Sequence, residues 1–190
     1  MAGRRQTFLK YLCFIVAIVI FAVIHESLHV LVALAFDEYQ WFVVHPYGLE
    51  VIFKTEPAAR QGVAWGFISG TSNMVTILIG YVLFISRNRI RSLPHFSMRT
   101  LGYYATIIFL LVDAFNLSIG PFIYGGDING IVRGFGINRY AVQSLFFVVL
   151  LVNRELIAQK VMPLYGVRTR HPLFIPWFKP KGTNQSSTSQ

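Results

Sequence analysis

The residues best suited to chemistry form one short pattern, His25-Glu26-Ser27-Leu28-His29, an H-E-x-x-H sequence. Residues four apart lie on the same face of a helix, so His25 and His29 can bind one Zn²⁺ together. Glu26 lies beside them and can take a proton from a metal-bound water as a general base. The pattern therefore predicts a metal-dependent hydrolase.

The chain around this pattern is strongly apolar. No charged residue occurs from Tyr11 to Ile24, and Val30 to Phe36 is again wholly apolar, so we predict a membrane span over residues 8–36. Ionisable residues inside a span are costly and usually functional. The alternative is a buried polar cluster that joins helices through hydrogen bonds.

Composition predicts an all-α membrane protein. Of the 190 residues, 54% are hydrophobic and only 13% are charged, which excludes a soluble zinc protease. Four transmembrane helices are expected at about 8–36, 62–85, 101–119 and 140–158, within a membrane core of residues 1–162. The Pro-rich residues 163–190 are expected to form a surface tail with a disordered end. The net charge of +9 then reflects basic residues facing lipid headgroups, with no nucleic-acid partner.

A β-hairpin is predicted between spans one and two. Trp41–His45 and Leu49–Lys54 are β-prone runs separated by Pro46-Tyr47-Gly48, a turn sequence. Beside a protease site, such a hairpin could offer an edge strand to an extended substrate. It could equally be an interfacial hairpin anchored by its aromatic residues.

A catalytic zinc usually has three protein ligands, so a third residue must join the two histidines. Asp113 and Asp127 both qualify, because spans one and three run in the same direction and bring the histidines and both aspartates to the same membrane face. Glu50 or Glu56 would need the loop to fold back into the membrane. Asp113 could instead be a partner that orients a histidine.

With the H-E-x-x-H sequence and the later residues Asn116, Pro121, Asp127 and Gly130, the chain resembles the site-2 protease family of intramembrane zinc metalloproteases. That family has H-E-x-x-H in one span and an asparagine-proline-aspartate-glycine pattern in a later one. Asn116, Pro121, Asp127 and Gly130 follow in the same order with longer spacing, and Ser69 to Asn73 resembles the family's small-residue segment. The resemblance covers roughly residues 24–130.

The resemblance implies a three-helix catalytic core, bound Zn²⁺ and hydrolysis of peptide bonds in transmembrane protein or peptide substrates. It favours Asp127 as the third metal ligand, with Asp113 the alternative. Asn116 and Asn73 are expected to bind substrate by donating to a carbonyl or oxyanion, although interhelical hydrogen bonding would explain each of them equally well.

Two questions of function and placement stay open in the sequence. A non-proteolytic metal-binding membrane protein, such as a chaperone or assembly factor, is the alternative function, and the intact Glu26 favours the enzyme. Most of the 17 Lys and Arg residues lie at the N-terminus, the second connection and the C-terminal part. The positive-inside rule then places both termini in the cytoplasm and the catalytic end outside, whereas the family resemblance suggests the reverse.

Overall fold

A computed structural model describes residues 2–46 and 48–178. The helices and strands follow one another as α1 (Ala2–Ala35), β1 (Tyr39–His45), β2 (Gly48–Phe53), α2 (Val63–Ile85), α3 (Arg87–Arg91), α4 (Phe96–Ser118), α5 (Ile128–Phe135) and α6 (Arg139–Leu156). A π-helical turn, Ile157–Val161, and the short α7, Met162–Leu164, continue α6. Two 3₁₀ turns, Gly120–Phe122 and Pro172–Phe174, complete the described structure.

Four of the helices are long and apolar enough to cross a membrane, which confirms the predicted fold class. Some bounds differ from the predicted spans. α1 begins at Ala2, because the basic residues of its first turns do not interrupt a helix and their long side chains can reach a membrane surface. The fourth span continues to Leu164, since Ile157, Val161 and Met162 are buried against Leu110 of α4.

The hairpin is also confirmed. β1 and β2 pair in antiparallel register, with Val43 opposite Glu50 and His45 opposite Gly48. Tyr47, predicted in the turn, lies outside the described residues. An ion pair of 2.6 Å between Lys54 Nζ and Asp37 Oδ1 joins the two ends of the hairpin, just beyond α1. β2 also packs on α1, so the hairpin lies next to the end of α1 that follows His29.

α4 is the central helix, and α1, α2 and α6 all pack against it. Gly80 permits a close approach of α2 to α4, since a Cβ there would lie 2.8 Å from the carbonyl carbon of Phe109. Apolar side chains such as Ile15 and Val19 point outward, while polar side chains are buried at the centre. This distribution reverses that of a soluble protein and suits a bundle surrounded by lipid.

The helix α5 lies between the third and fourth long helices, where the sequence predicts no helix. It packs on α2 at very close range: a Cβ on Gly134 would overlap the backbone of Gly66, and one on Gly130 would overlap the side chain of Ser69. Gly125, three residues before the helix, has a left-handed backbone conformation (φ 83°) that glycine tolerates best. Asp127, at the start of α5, is thereby brought against α2.

Part of the C-terminal tail packs on α6. The buried guanidinium of Arg154 donates to the carbonyls of Pro172, Leu173 and Ile175. The neighbouring Glu155 accepts from the backbone amide of Trp177 at 3.0 Å. The disordered end predicted for the tail, residues 183–190, lies outside the described residues.

Candidate metal site

His25 and His29 lie one turn apart on the inward face of α1, with 7% and 6% of their surfaces exposed. Their Nε2 atoms are 3.1 Å apart, as the i, i+4 spacing predicts. The carboxylate of Asp127 faces both: Oδ2 lies 3.4 Å from Nε2 of His25, and Oδ1 lies 3.4 Å from Nε2 of His29. One ligand atom from each residue lies within 4.8 Å of the others, so the group could hold a metal ion.

The other ring nitrogen of each histidine has an oxygen partner. Nδ1 of His25 lies 3.2 Å from Oδ2 of Asp113, and Nδ1 of His29 lies 2.7 Å from the backbone carbonyl of Ile68. A carbonyl can only accept, so Nδ1 of His29 must donate, and a carboxylate favours the same tautomer in His25. Both Nε2 lone pairs then point toward Asp127. Two imidazole nitrogens and one carboxylate form a donor set that zinc commonly takes in catalytic sites, so the residues present fit that ion.

Asp113 lies on the far side of His25 from Asp127. It is 1% exposed, and its Oδ2 accepts a hydrogen bond from the hydroxyl of Thr76 as well as contacting His25. Within the described residues it does not join the group of three potential ligands. Of the two roles considered for it, the geometry matches the partner that orients a histidine.

The two predicted asparagines converge on the same carboxylate. Nδ2 of Asn73 donates to Oδ2 of Asp127 at 2.9 Å, and Nδ2 of Asn116 donates to the same oxygen at 3.2 Å. Tyr124 in turn donates to Oδ1 of Asn116 at 3.0 Å. The amides thus hold the carboxylate in place, and their hydrogen bonds join α2, α4 and the segment before α5.

Several residues at the site had no signal in the sequence. Ile68 contributes only a backbone carbonyl, which any residue would offer. The hydroxyl of Ser72 lies 3.0 Å from Nε2 of His29, and the sequence marks it only as a small residue. Thr76 and Tyr124 likewise become recognisable only once the helices are packed together.

Glu26 faces a cavity of about 1220 Å³ that opens above the histidines. The strand β2 forms one wall of this cavity, from Leu49 to Phe53, and α5 forms another. Glu50 and Glu56, the other ligand candidates in the sequence, line the same cavity and do not belong to the described group of three potential ligands. The half-buried Glu26 therefore has access both to the candidate metal site and to a space large enough for an extended peptide.

Charge interactions reinforce this arrangement. In the wall of the cavity, the guanidinium of Arg60 lies 4.8 Å from the ring centres of both Phe53 and Trp65. This double cation–π contact fastens the loop after β2 to the start of α2.

No family model, curated protein or solved structure matches this chain. The function of the chain is therefore inferred from the residues of the site.

Proposed function

We propose that the protein is an integral, multi-pass membrane zinc metalloendopeptidase that hydrolyses peptide bonds of membrane-embedded substrates, as a divergent member of the site-2 protease family. One observation carries the proposal: two buried Nε2 atoms and one carboxylate converge beside Glu26, at the base of a cavity within helices apolar enough to span a membrane. Structural polar clusters require hydrogen-bond partners, but they have no need of a further acid lining a cavity.

His25, His29 and Asp127 are the proposed zinc ligands. When bound there, zinc would act as a Lewis acid that makes water nucleophilic near neutral pH and polarises the scissile carbonyl. Glu26 accepts the proton of the attacking water and then donates it to the leaving amine, so the peptide bond breaks without release of a strongly basic amide anion. Its position next to His25 on α1 keeps the carboxylate at the site while leaving it out of the ligand set.

The remaining polar residues position the ligands. Asp113 and the carbonyl of Ile68 fix the ring orientation and tautomer of the two histidines. Asn73 and Asn116 hold the carboxylate of Asp127, which is the only proposed ligand outside α1. A substrate-binding role for either asparagine would require its amide to leave Asp127, so their proposed role is to position the carboxylate.

The hairpin supports a mode of substrate binding. β2 pairs with β1 along one edge, and its residues Leu49 to Phe53 line the cavity that Glu26 also lines. An extended peptide that adds to the other edge of β2 would form main-chain hydrogen bonds there. Pairing of this kind stabilises an extended backbone, and a transmembrane helix must unwind into such a backbone before its peptide bonds can be cleaved.

The test compares Glu26→Gln with the wild type in two measurements on the purified full chain: bound zinc, and cleavage of a model transmembrane substrate in detergent or lipid. The variant should retain zinc and lose cleavage by about a hundredfold or more, since it removes only the general base. Glu56→Gln is the matched control, because Glu56 lines the same cavity at an exposed position. It should keep both properties.

Cleavage at the wild-type rate in Glu26→Gln would contradict the proposed mechanism. A wild-type protein that binds stoichiometric zinc but cleaves none of a panel of transmembrane substrates would instead favour the non-proteolytic metal-binding function.

A further inference from the structure

A second cavity, of about 450 Å³, lies at the other end of the bundle. Lys10 lines it, and at about 1.5 Å of rise per residue this side chain is about 22 Å along α1 from His25. The remaining walls come from the end of α3, the first turns of α4 and the segment after α7. The lining residues are Lys10, Arg91, Phe96, Arg99, Thr100, Tyr103, Tyr104, Tyr165 and Val167.

Three cations from three different elements line this cavity, and no carboxylate is among the described residues around it. Within the described residues, Lys10, Arg91 and Arg99 make no ion pair with any Asp or Glu. Arg91 donates from Nε to the carbonyl of Leu164 at 3.3 Å, which leaves its two terminal amino groups for a ligand. Positive charges gathered around one small space repel one another, so an anion between them would be strongly favoured.

Tyrosines supply neutral donors to the same space. The ring of Tyr103 lies 4.9 Å from that of Tyr165 and 5.1 Å from that of Tyr104, so packing fixes all three rings. In the described part of the chain, none of their hydroxyl groups donates to a protein acceptor. Guanidinium groups, an ammonium group and free phenol hydroxyls together match the oxygen atoms of a phosphate.

We propose that this cavity is a binding site for a phosphate group, carried by an anionic glycerophospholipid. The cavity lies at the end of the bundle where the N-terminal helix begins and where most of the basic residues are concentrated, which is the level of lipid headgroups. Its volume falls in the range of small-molecule sites and exceeds what a single phosphate ion would fill. The neighbouring aromatic side chains would contact the glycerol and the start of the acyl chains.

The test measures saturable binding to the full chain in neutral detergent micelles, where no charged surface attracts the lipid generally. The probes are phosphatidylglycerol, phosphatidylcholine and inorganic phosphate, each counted per protein by native mass spectrometry. The double variant Lys10→Gln/Arg99→Gln removes two cations whose side chains make no described hydrogen bond. Arg5→Gln/Arg89→Gln is the matched control, with the same charge change on α1 and α3 outside the cavity.

Phosphatidylglycerol should bind one site, at least about tenfold more weakly in the cavity variant than in the wild type, and within about threefold of wild type in the control, as expected for loss of charge-assisted hydrogen bonds. The temperature of thermal unfolding should be equal in all three proteins, which would show that the fold is intact whether or not zinc is bound. Equal weakening in both double variants would overturn the site and leave only general attraction between charges. If inorganic phosphate saturates the cavity and phosphatidylglycerol does not, the phosphate site is supported and the lipid is excluded as its source.

Discussion

Replacement of Asp127 and replacement of Asp113 should have different effects on zinc binding. Asp127→Ala removes one of three ligands and should abolish stoichiometric zinc, because two histidines alone hold the ion weakly. Asp113→Ala leaves all three ligands and removes the oxygen that lies 3.2 Å from Nδ1 of His25. Loss of such an orienting contact weakens metal affinity by about ten- to a hundredfold, or about 1.4 to 2.8 kcal/mol.

The structure also predicts that Asp113→Ala folds well. The hydroxyl of Thr76 loses one acceptor, but its single proton can turn to the carbonyl of Ser72, at 2.8 Å, or of Asn73, at 3.1 Å. The other carboxylate oxygen of Asp113 is buried with no hydrogen-bond partner among the described residues, so its removal costs no further bond. The change in zinc affinity should therefore be measurable without loss of the fold.

The assay is zinc content after dialysis against a graded series of chelator concentrations, with the thermal transition of each metal-free protein as a measure of folding. Thr106→Val is the matched control. Thr106 is buried on the same helix as Asp113, and its hydroxyl donates only to the carbonyl of Gly102 in its own helix. Zinc that is lost in Asp113→Ala and kept in Asp127→Ala would refute the reasoning and place the third ligand within α4.

Three further variants test how the site is held. His25→Ala and His29→Ala should each lose both zinc and cleavage, and stoichiometric zinc in either variant would point to a metal site elsewhere. Gly134→Ala should push α5 away from Gly66 and carry Asp127 with it, lowering stability by about 1 to 3 kcal/mol and zinc affinity in parallel. Gly70→Ala in the same interface is the control, since its Cβ would make an ordinary contact of 3.5 Å with Ile131, and equal losses in thermal unfolding and zinc titration for both would contradict this role of Gly134.

The histidine pair, the long helices and the hairpin could be predicted from the sequence because each depends on residues close together in the chain. The approach of His25 to His29 follows from the helical repeat, whatever the helix packs against. The four long helices follow from runs of apolar residues as long as a membrane is thick, and the hairpin follows from two β-prone runs around Pro46 and Gly48.

α5 shows where this kind of reading fails. Residues 128–135 contain two glycines and an asparagine, which favour a turn when the segment is considered alone. The same glycines let the segment pack as a helix directly on the backbone of α2. Burial of Ile128 and Ile131 against Leu117 then stabilises a helix that local propensity disfavours.

The histidine pair, the neighbouring acid and the apolar helices that contain them could thus be predicted from the amino-acid sequence, because helix period and hydrophobic length act over a few turns of one segment. The positions of the two aspartates relative to the histidines depend on tertiary packing. His25 contacts Asp113 on one side, 88 residues away in the chain, and faces Asp127 on the other. The carboxylate of Asp127 in turn accepts from Asn73, which lies 54 residues before it. Those contacts depend on how closely α2, α4 and α5 approach, and the packing of side chains between helices sets that distance.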